Sequence, residues 1–381
     1  MSAATYDVAI VGAGIVGAAC AAECVRQGLR TVIVDQGEVG GGATAAGMGH
    51  IVVMDDSEAQ FALTRFSQQL WQELRSELPA DVEYESCGTI WAAADEEEMV
   101  EVRRKQDYYK QRGVSVDVLN AEELERLEPN LRKGMAGGLL VPEDIVLYPP
   151  CAAQFLFDRA QAGGAKVHLG SAVSNIGQGR VRLMDGKELS AGKIVNATGA
   201  WAPELTPGLD IKKRKGHLVI TDRYPGFVRH QLVELGYLKS ARSATGDSVA
   251  FNVQPRKTGQ ILIGSSRQYD AQHKEVDNAI LLRMMQRAQE YMPGLAQTSA
   301  IRVWTGFRAT TADKLPLIGP WPSDPTVYLA TGHEGLGIAT SLATARLLID
   351  QVMGSASAIP IEPYLPSRVA HGLSPLEHAH A

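Results

Sequence analysis

Several things this sequence does not have narrow its function before any motif is read. Its four cysteines, Cys20, Cys24, Cys87 and Cys151, form no C-x-x-C pair, which argues against an iron–sulfur or zinc centre held by this chain. Cys20 and Cys24 stand one helical turn apart and read as small core residues. Nothing in their use calls for an oxidising compartment, so a cytoplasmic location is expected. Basic charge is not in excess: 37 Lys and Arg stand against 43 Asp and Glu, a net charge of -6. A nucleic-acid groove needs concentrated Lys and Arg, so no nucleic-acid partner is expected. The one basic run, Lys212–Lys215, reads as a solvated turn before a strand. No apolar run approaches the roughly 18 residues of a spanning helix. The N-terminus lacks the basic region of a secretory signal, and glycines break its apolar stretch. Peripheral attachment to a membrane surface stays open.

What the chain does have is ordinary globular material, 381 residues of which 45% are hydrophobic and 21% charged. That suits two domains or one large α/β unit. Its organising stretch is Asp7–Asp35. Asp7–Val11 is a short apolar strand, and Gly12, Gly14 and Gly17 form G-x-G-x-x-G. Ile15–Gln27 follows with helical spacing, and Thr31–Val34 is a second strand that Asp35 closes. Each glycine has a mechanical purpose in a dinucleotide site. Gly12 permits the turn, Gly14 admits a pyrophosphate close to the backbone, and Gly17 lets the helix pack hard on the strand. The helix N-terminus at Ile15 and Val16 offers N–H groups and a positive dipole end to phosphates. Asp35 is placed to accept hydrogen bonds from a ribose diol.

Along the rest of the chain, Gln36–Gly49 is rich in Gly and Ala. It reads as a segment pressed against a ligand, with Gln36, Gly42, Ala43, Thr44, Ala46, Gly47, Met48 and Gly49 as contacts. His50 ends it, either facing a cofactor or substrate or serving as a hydrogen-bonded structural residue. Amphipathic spacing predicts a helix over Ser57–Leu78, a charged helix with a solvated face is expected over Glu96–Arg112, and further helices are expected over Asn120–Leu127, Cys151–Ala162 and Asn278–Tyr291. Strands are expected over Tyr84–Asp95, Lys166–Leu169, Val181–Leu183 and Lys193–Thr198, with a hairpin turn at Asp185–Gly186. Lys215–Thr221, Ser248–Val253, Gln260–Ser265 and Ala300–Phe307 suggest an antiparallel sheet. Thr326–Ala330 runs into Thr331–Gly337 (TGHEGLG) and a long apolar helix, Ile338–Met353. His371, His378 and His380 sit in an aperiodic tail that reads as a flexible end, and no metal site is expected.

Several of these residues together resemble the D-amino acid oxidase-like superfamily of FAD-dependent oxidoreductases, which includes glycine and sarcosine oxidases. The resemblance runs to about Arg368. It rests on G-x-G-x-x-G with Asp35, on Ile194–Gly199 (IVNATG), on Gly306–Gly319 (GFRATTADKLPLIG) and on Thr331–Gly337. Asp35 replaces the glutamate more usual there. The fold implied is α/β, with a Rossmann-like FAD domain assembled from residues 1–84, 145–214 and 306–368. An antiparallel-sheet substrate domain would comprise 85–144 and 215–305, and 369–381 a flexible tail. The resemblance adds Val173, Ala197, Thr198, Gly199, Trp201, Gly332, His333, Gly335, Leu336, Gly337 and Ile338 to the expected FAD contacts. It implies that a helix opening at Gly335 stabilises negative charge developing on the flavin. It also implies that Arg308, itself near the flavin, grips the substrate carboxylate with its planar fork. Tyr237 or Arg242 in Gly236–Arg242 is a candidate second wall, and His217 is placed either at the site or in the sheet.

The activity implied is oxidation of a carboxylate-bearing amine to the imine, by hydride transfer from Cα to flavin N5. Arg308, His50 and Tyr237 are the candidate catalytic residues. Gly42–Ile51, Tyr237–Phe251, Ile261–Asp270 and Glu362–Val369 look most like D-hydroxyproline dehydrogenases and the catalytic subunits of heteromeric opine and proline dehydrogenases. Companion subunits carrying another flavin or an iron–sulfur centre are then candidate partners. A glycine- or sarcosine-type oxidase is a further alternative. An RNA-modifying flavoprotein and a catalytically silent FAD subunit are rivals from other classes.

Overall fold

The computed structural model describes residues 5–236, 246–269 and 271–370. Tyr237, Arg242 and the tail histidines lie outside the described residues. Two large sheets dominate. The first has eight strands, and its centre is the opening strand Thr5–Val11, flanked in parallel by Thr31–Val34 and Glu188–Asn196. Lys166–His168 extends it on one side and Asp324–Thr331 on the other, both parallel, before Leu317–Trp321 closes the edge antiparallel. Every residue of Thr31–Val34 is buried, as a parallel strand covered on both faces requires. The helices Ile15–Arg26, Pro149–Ala162 and Ser341–Met353 cover one face, packing Ile15, Cys20, Cys24, Phe157, Leu347 and Leu348 into one core. The hairpin Val173–Gly177/Arg180–Leu183 continues from Glu188–Asn196 and helps cover the other face.

The second sheet has nine strands. In spatial order they are His333–Glu334, Ala300–Thr310, Lys212–Arg223, Gln260–Arg267, Ser248–Pro255, Gln231–Glu234, Thr89–Ala93, Gly137–Val141 and Asp117–Asn120. All neighbours are antiparallel except Gln231–Glu234 beside Thr89–Ala93. Its outer face packs on Asn278–Tyr291, where the Phe251 and Tyr291 rings stack 4.6 Å apart. The division points 214/215 and 305/306 lie inside the paired strands Lys212–Arg223 and Ala300–Thr310. No helix among the described residues is long and apolar enough to cross a membrane.

Local rules explain many of the boundaries. Ser57, Asp95 and Asn120 cap their helices through their side chains, and Asn120 with Glu123 completes a capping box. Three expectations are corrected. The helix expected over Ser57–Leu78 runs only Glu58–Leu74, then tightens into a 3-10 turn. Of Tyr84–Asp95 only Thr89–Ala93 is strand. Lys212–Lys215 is not a solvated turn but the start of a twelve-residue strand, with Arg214 and Lys215 buried. Burial is tolerated because both charges find partners. Arg214 Nη1 donates to Glu334 at 2.8 Å, and Lys215 Nζ donates to the Glu275 carbonyl at 3.0 Å.

Candidate active site

A large cavity of about 890 Å³ is lined by residues of both sheets. The first sheet contributes its glycine turn. A Cβ on Gly17 would come within 1.9 Å of the Gly12 carbonyl oxygen, so the helix can sit this close to the strand only with glycine there. Gly17 itself therefore lies behind the cavity wall rather than in it. Thr44 Oγ1 accepts the Ile15 N–H at 3.0 Å, tying the Ala/Gly-rich segment to the helix N-terminus. Asp35 accepts from Ala13 N–H at 2.6 Å and Gly37 N–H at 2.7 Å. A carboxylate has about four acceptor positions, so capacity remains for a ligand on the cavity side.

The lining holds Gly12, Gly14, Ile15, Val16, Asp35, Gln36, Gly42, Ala43, Thr44, Ala46, Gly47, Met48 and Gly49. It also holds His50, Val173, Ala197, Thr198, Gly199, Trp201, Arg308, His333, Gly335, Leu336, Gly337 and Ile338. Chain segments far apart in sequence thus meet at one space. Gly332 does not line it; a Cβ there would strike Thr311 Cγ2 at 2.7 Å. The helix expected to open at Gly335 begins instead at Ser341, with Thr340 at the N-cap position but making no side-chain cap. Residues 335–340 are turns, with the Thr340 N–H donating to the Leu336 carbonyl. The two glycines in that stretch, Gly335 and Gly337, each disfavour a helix by roughly 0.5–1 kcal/mol.

Arg308 stands on the strand Ala300–Thr310 and reaches over its neighbour. Its Nη1 donates to the Ser266 carbonyl at 2.9 Å. Gly216 lies beneath, where a Cβ would sit 2.6 Å from Nη1 and 2.8 Å from Nη2. Beside it, Glu334 has a left-handed backbone, φ 54°. Its carboxylate accepts from Arg214 Nη1 at 2.8 Å and from Thr310 Oγ1 at 2.5 Å, with Arg267 Nε at 3.5 Å. Burial would raise the Glu334 pKa, but the positive charges of Arg308, Arg214 and Arg267 outweigh it and hold the carboxyl below the usual range. One ionised glutamate therefore organises three arginines at this end of the cavity.

The histidines are quieter than sequence reading allowed. His50 Nε2 is 2.7 Å from Thr89 Oγ1, and burial pushes its pKa down to about 3. Burial similarly lowers His333 to about 4, with Nε2 3.0 Å from Thr344 Oγ1. Neither is poised near neutral pH to exchange a proton. His217 is not in the cavity. Its Nε2 accepts the Asp277 N–H at 3.0 Å, so its Nδ1 carries the proton toward Ser266 Oγ at 2.9 Å, a structural arrangement. Below His50, Asp144 is fully buried, accepts from Gln68 Nε2 at 2.9 Å and from Val53 N–H, and is raised by burial to about 7.

Sequence reading missed several lining residues, including Trp91, Gly216, Asn252, Ser265, Arg267 and Glu334. Trp91 carries the Lys105 ammonium 4.5 Å over its ring, and Lys105 is buried in an ion pair with Asp55. The only local signal for Asn252 was a polar residue interrupting an apolar strand. Among the described residues, no group of three or more His, Cys, Asp or Glu is arranged to hold a metal.

Comparison with known proteins gives a consistent answer. A family model described as FAD dependent oxidoreductase matches residues 7–351. Glycine oxidase of Geobacillus kaustophilus is 27% identical over 374 residues, covering 94% of this chain and 96% of that protein. Its crystal structure superposes with a TM-score of 0.85, covering 96% of this chain and 99% of that one, at 27% identity. Hydrogen cyanide synthase subunit HcnC of Pseudomonas aeruginosa is 28% identical over 417 residues, with 96% of each chain covered. The crystal structure of L-proline dehydrogenase from P. horikoshii shares the fold, with a TM-score of 0.87 at 22% identity over 97% of this chain and 98% of that one.

Proposed function

The chain belongs to the family of FAD-dependent oxidoreductases, and on that premise we propose that it oxidises a carboxylate-bearing amine, of the D-hydroxyproline kind, to the imine. The observation that carries this reading is Arg308, a guanidinium on the cavity lining held over Gly216 by the Ser266 carbonyl. A planar fork fixed in this way meets a carboxylate bidentately and orients the carbon beside it. The relatives named glycine oxidase support an amino acid as substrate.

The residues fit the cofactor. The glycine turn and the open end of Ile15–Arg26 suit a pyrophosphate, Asp35 suits a ribose, and the small residues 42–49 leave room for a ring system beside residues 333–338. Bound FAD supplies a two-electron acceptor for the C–H bond of the amine carbon. The chain's own task is then positioning and exclusion of water. Arg308 holds the carboxylate, Glu334 keeps the arginine cluster assembled, and the apolar walls at Met48, Trp91, Leu218 and Val233 enclose the amine carbon. His50, with its depressed pKa, acts as a neutral hydrogen-bonding wall rather than as a base.

The test is an anaerobic screen of cis-4-hydroxy-D-proline, other D-amino acids, L-proline, glycine, sarcosine and opines, read by bleaching of the bound flavin. Bleaching by a carboxylate-bearing amine, lost in Arg308→Ala and partly kept in Arg308→Lys, is the expected outcome. A flavin that no such amine reduces would overturn the reading. Preference for L-proline or an opine would favour the alternative of a catalytic subunit in a heteromeric dehydrogenase; the relative HcnC is, by its name, a subunit. Preference for glycine with rapid reoxidation by oxygen would favour a glycine-type oxidase.

A further inference from the structure

Resting on that reading of the site, we propose that Asn252, oriented by Gln231, is a second polar anchor that selects substrates carrying a hydrogen-bond-accepting oxygen on the side away from the carboxylate.

The strand Ser248–Pro255 alternates cleanly. Phe251 and Val253 are wholly buried against the helix Asn278–Tyr291, on the outer face of the sheet. Period-two alternation sends Asn252 and Gln254 to the opposite face. Gln254 Nε2 donates to the Met48 carbonyl at 2.7 Å, which fixes that face as the one toward the Ala/Gly-rich segment. Asn252 lines the cavity, in a stretch where apolar neighbours such as Val233, Leu218 and Trp91 form the wall.

Its amide is held in one orientation. Gln231 is fully buried on the next strand, and its Nε2 donates to Asn252 Oδ1. That takes one of the two acceptor positions of the Asn252 oxygen, and its Nδ2 group is left as a donor for the cavity. Among the described residues, that nitrogen has no hydrogen-bond partner. Asn252 is half-buried and open to the cavity, so a ligand that expels water there must supply a partner for this nitrogen or leave it unsatisfied.

The spacing from Arg308 suits a small amino acid. Arg308 reaches to Ser266 on the strand Gln260–Arg267, and Asn252 pairs with Gly264 on that same strand. One strand spacing combined with two residues along the strand separates the backbone positions of Asn252 and Ser266 by roughly 8 Å. A carboxylate at one end and a hydroxyl, carbonyl or second carboxylate oxygen at the other bridge such a gap with a hydrogen bond at each end. Glycine and sarcosine carry no such second oxygen and leave Asn252 unsatisfied. Asn252 is a specificity-determining residue in this scheme, and Gln231 a positioning residue.

The experiment compares cis-4-hydroxy-D-proline with D-proline, and D-serine with D-alanine, on the flavin-loaded full chain. The readouts are kcat/KM and substrate dissociation constants from flavin absorbance changes. The hydroxylated member of each pair is expected to be favoured. In Asn252→Ala and Asn252→Leu that preference collapses by roughly ten- to a hundredfold. The loss appears in KM and the dissociation constant of the hydroxylated member of each pair. Gln231→Leu loses part of the preference. Flavin content equal to wild type shows that the variants are folded. An undiminished preference in Asn252→Leu overturns the assignment, as does equal use of both members by wild type. Reduction by none of these amines would instead remove the proposed function beneath it.

Discussion

Arg308 keeps its place only because residue 216 has no side chain. Alanine at Gly216 would put a methyl group 2.6 Å from Nη1, against the movable end of a long side chain rather than against backbone. Gly216→Ala is therefore expected to fold and load flavin normally, yet to raise KM for carboxylate substrates about tenfold by displacing the fork. Steady-state kinetics beside a melting curve checks this, and an unchanged KM would refute it. Asp144 makes a prediction about pH. Burial raises its folded pKa from 3.8 to about 7, so the folded state holds its proton more tightly than the unfolded chain. Its contribution to stability is present in full below pH 3.8 and is lost as pH rises through about 7. Asp144→Asn keeps the acceptor for Gln68 and Val53 and removes the charge. The variant is expected to gain melting temperature over wild type at pH 8 and to show little gain at pH 4. A pH-independent difference would mean that Asp144 stays ionised.

At the scale of the element, the contact between the first helix and the turn after the first strand leaves no room for a side chain at Gly17. Gly17→Ala drives a Cβ into the Gly12 carbonyl at 1.9 Å, where the obstacle is backbone. The cost is expected to be about 1–3 kcal/mol or more, seen as a lower denaturant midpoint together with reduced flavin content. Full stability in Gly17→Ala would show that the helix can pivot away freely. This turn was legible in the sequence because each glycine answers a local demand. The helix after residue 335 was not placed correctly, since apolar periodicity through Ile338 resembles helix while the glycines favour turns until Thr340. Lys212–Lys215 failed for a different reason. Four basic residues look solvated until a distant Glu334 and the Glu275 carbonyl are brought beside them.

At the scale of the molecule, the cavity is lined by residues of both sheets, so a ligand filling it contacts both. Removing FAD is expected to lower the melting temperature, and saturating FAD restores it. At a hundredfold excess over Kd, binding to the folded state alone contributes about 2.7 kcal/mol. ADP is expected to recover part of that gain and Asp35→Ala to diminish the ADP effect, measured by thermal shift on the stripped protein. Equal stabilisation by ADP of wild type and Asp35→Ala would argue that the carboxylate serves only Ala13 and Gly37.

By itself, the sequence determined the dinucleotide turn, most helices and strands, the α/β class and the family. These follow from local demands: a turn that tolerates only glycine, an apolar face with a fixed period, a capping side chain. The tertiary structure alone decided that Arg308 lies over Gly216, that Glu334 gathers three arginines, that His50 is neutral, and that Asn252 faces the cavity with its oxygen bonded to Gln231. Each of these depends on residues tens to more than a hundred positions apart, brought together by strand pairing. Burial, hydrogen-bond partners and charge at such a site are properties of the assembled sheets, and no local stretch of chain contains them.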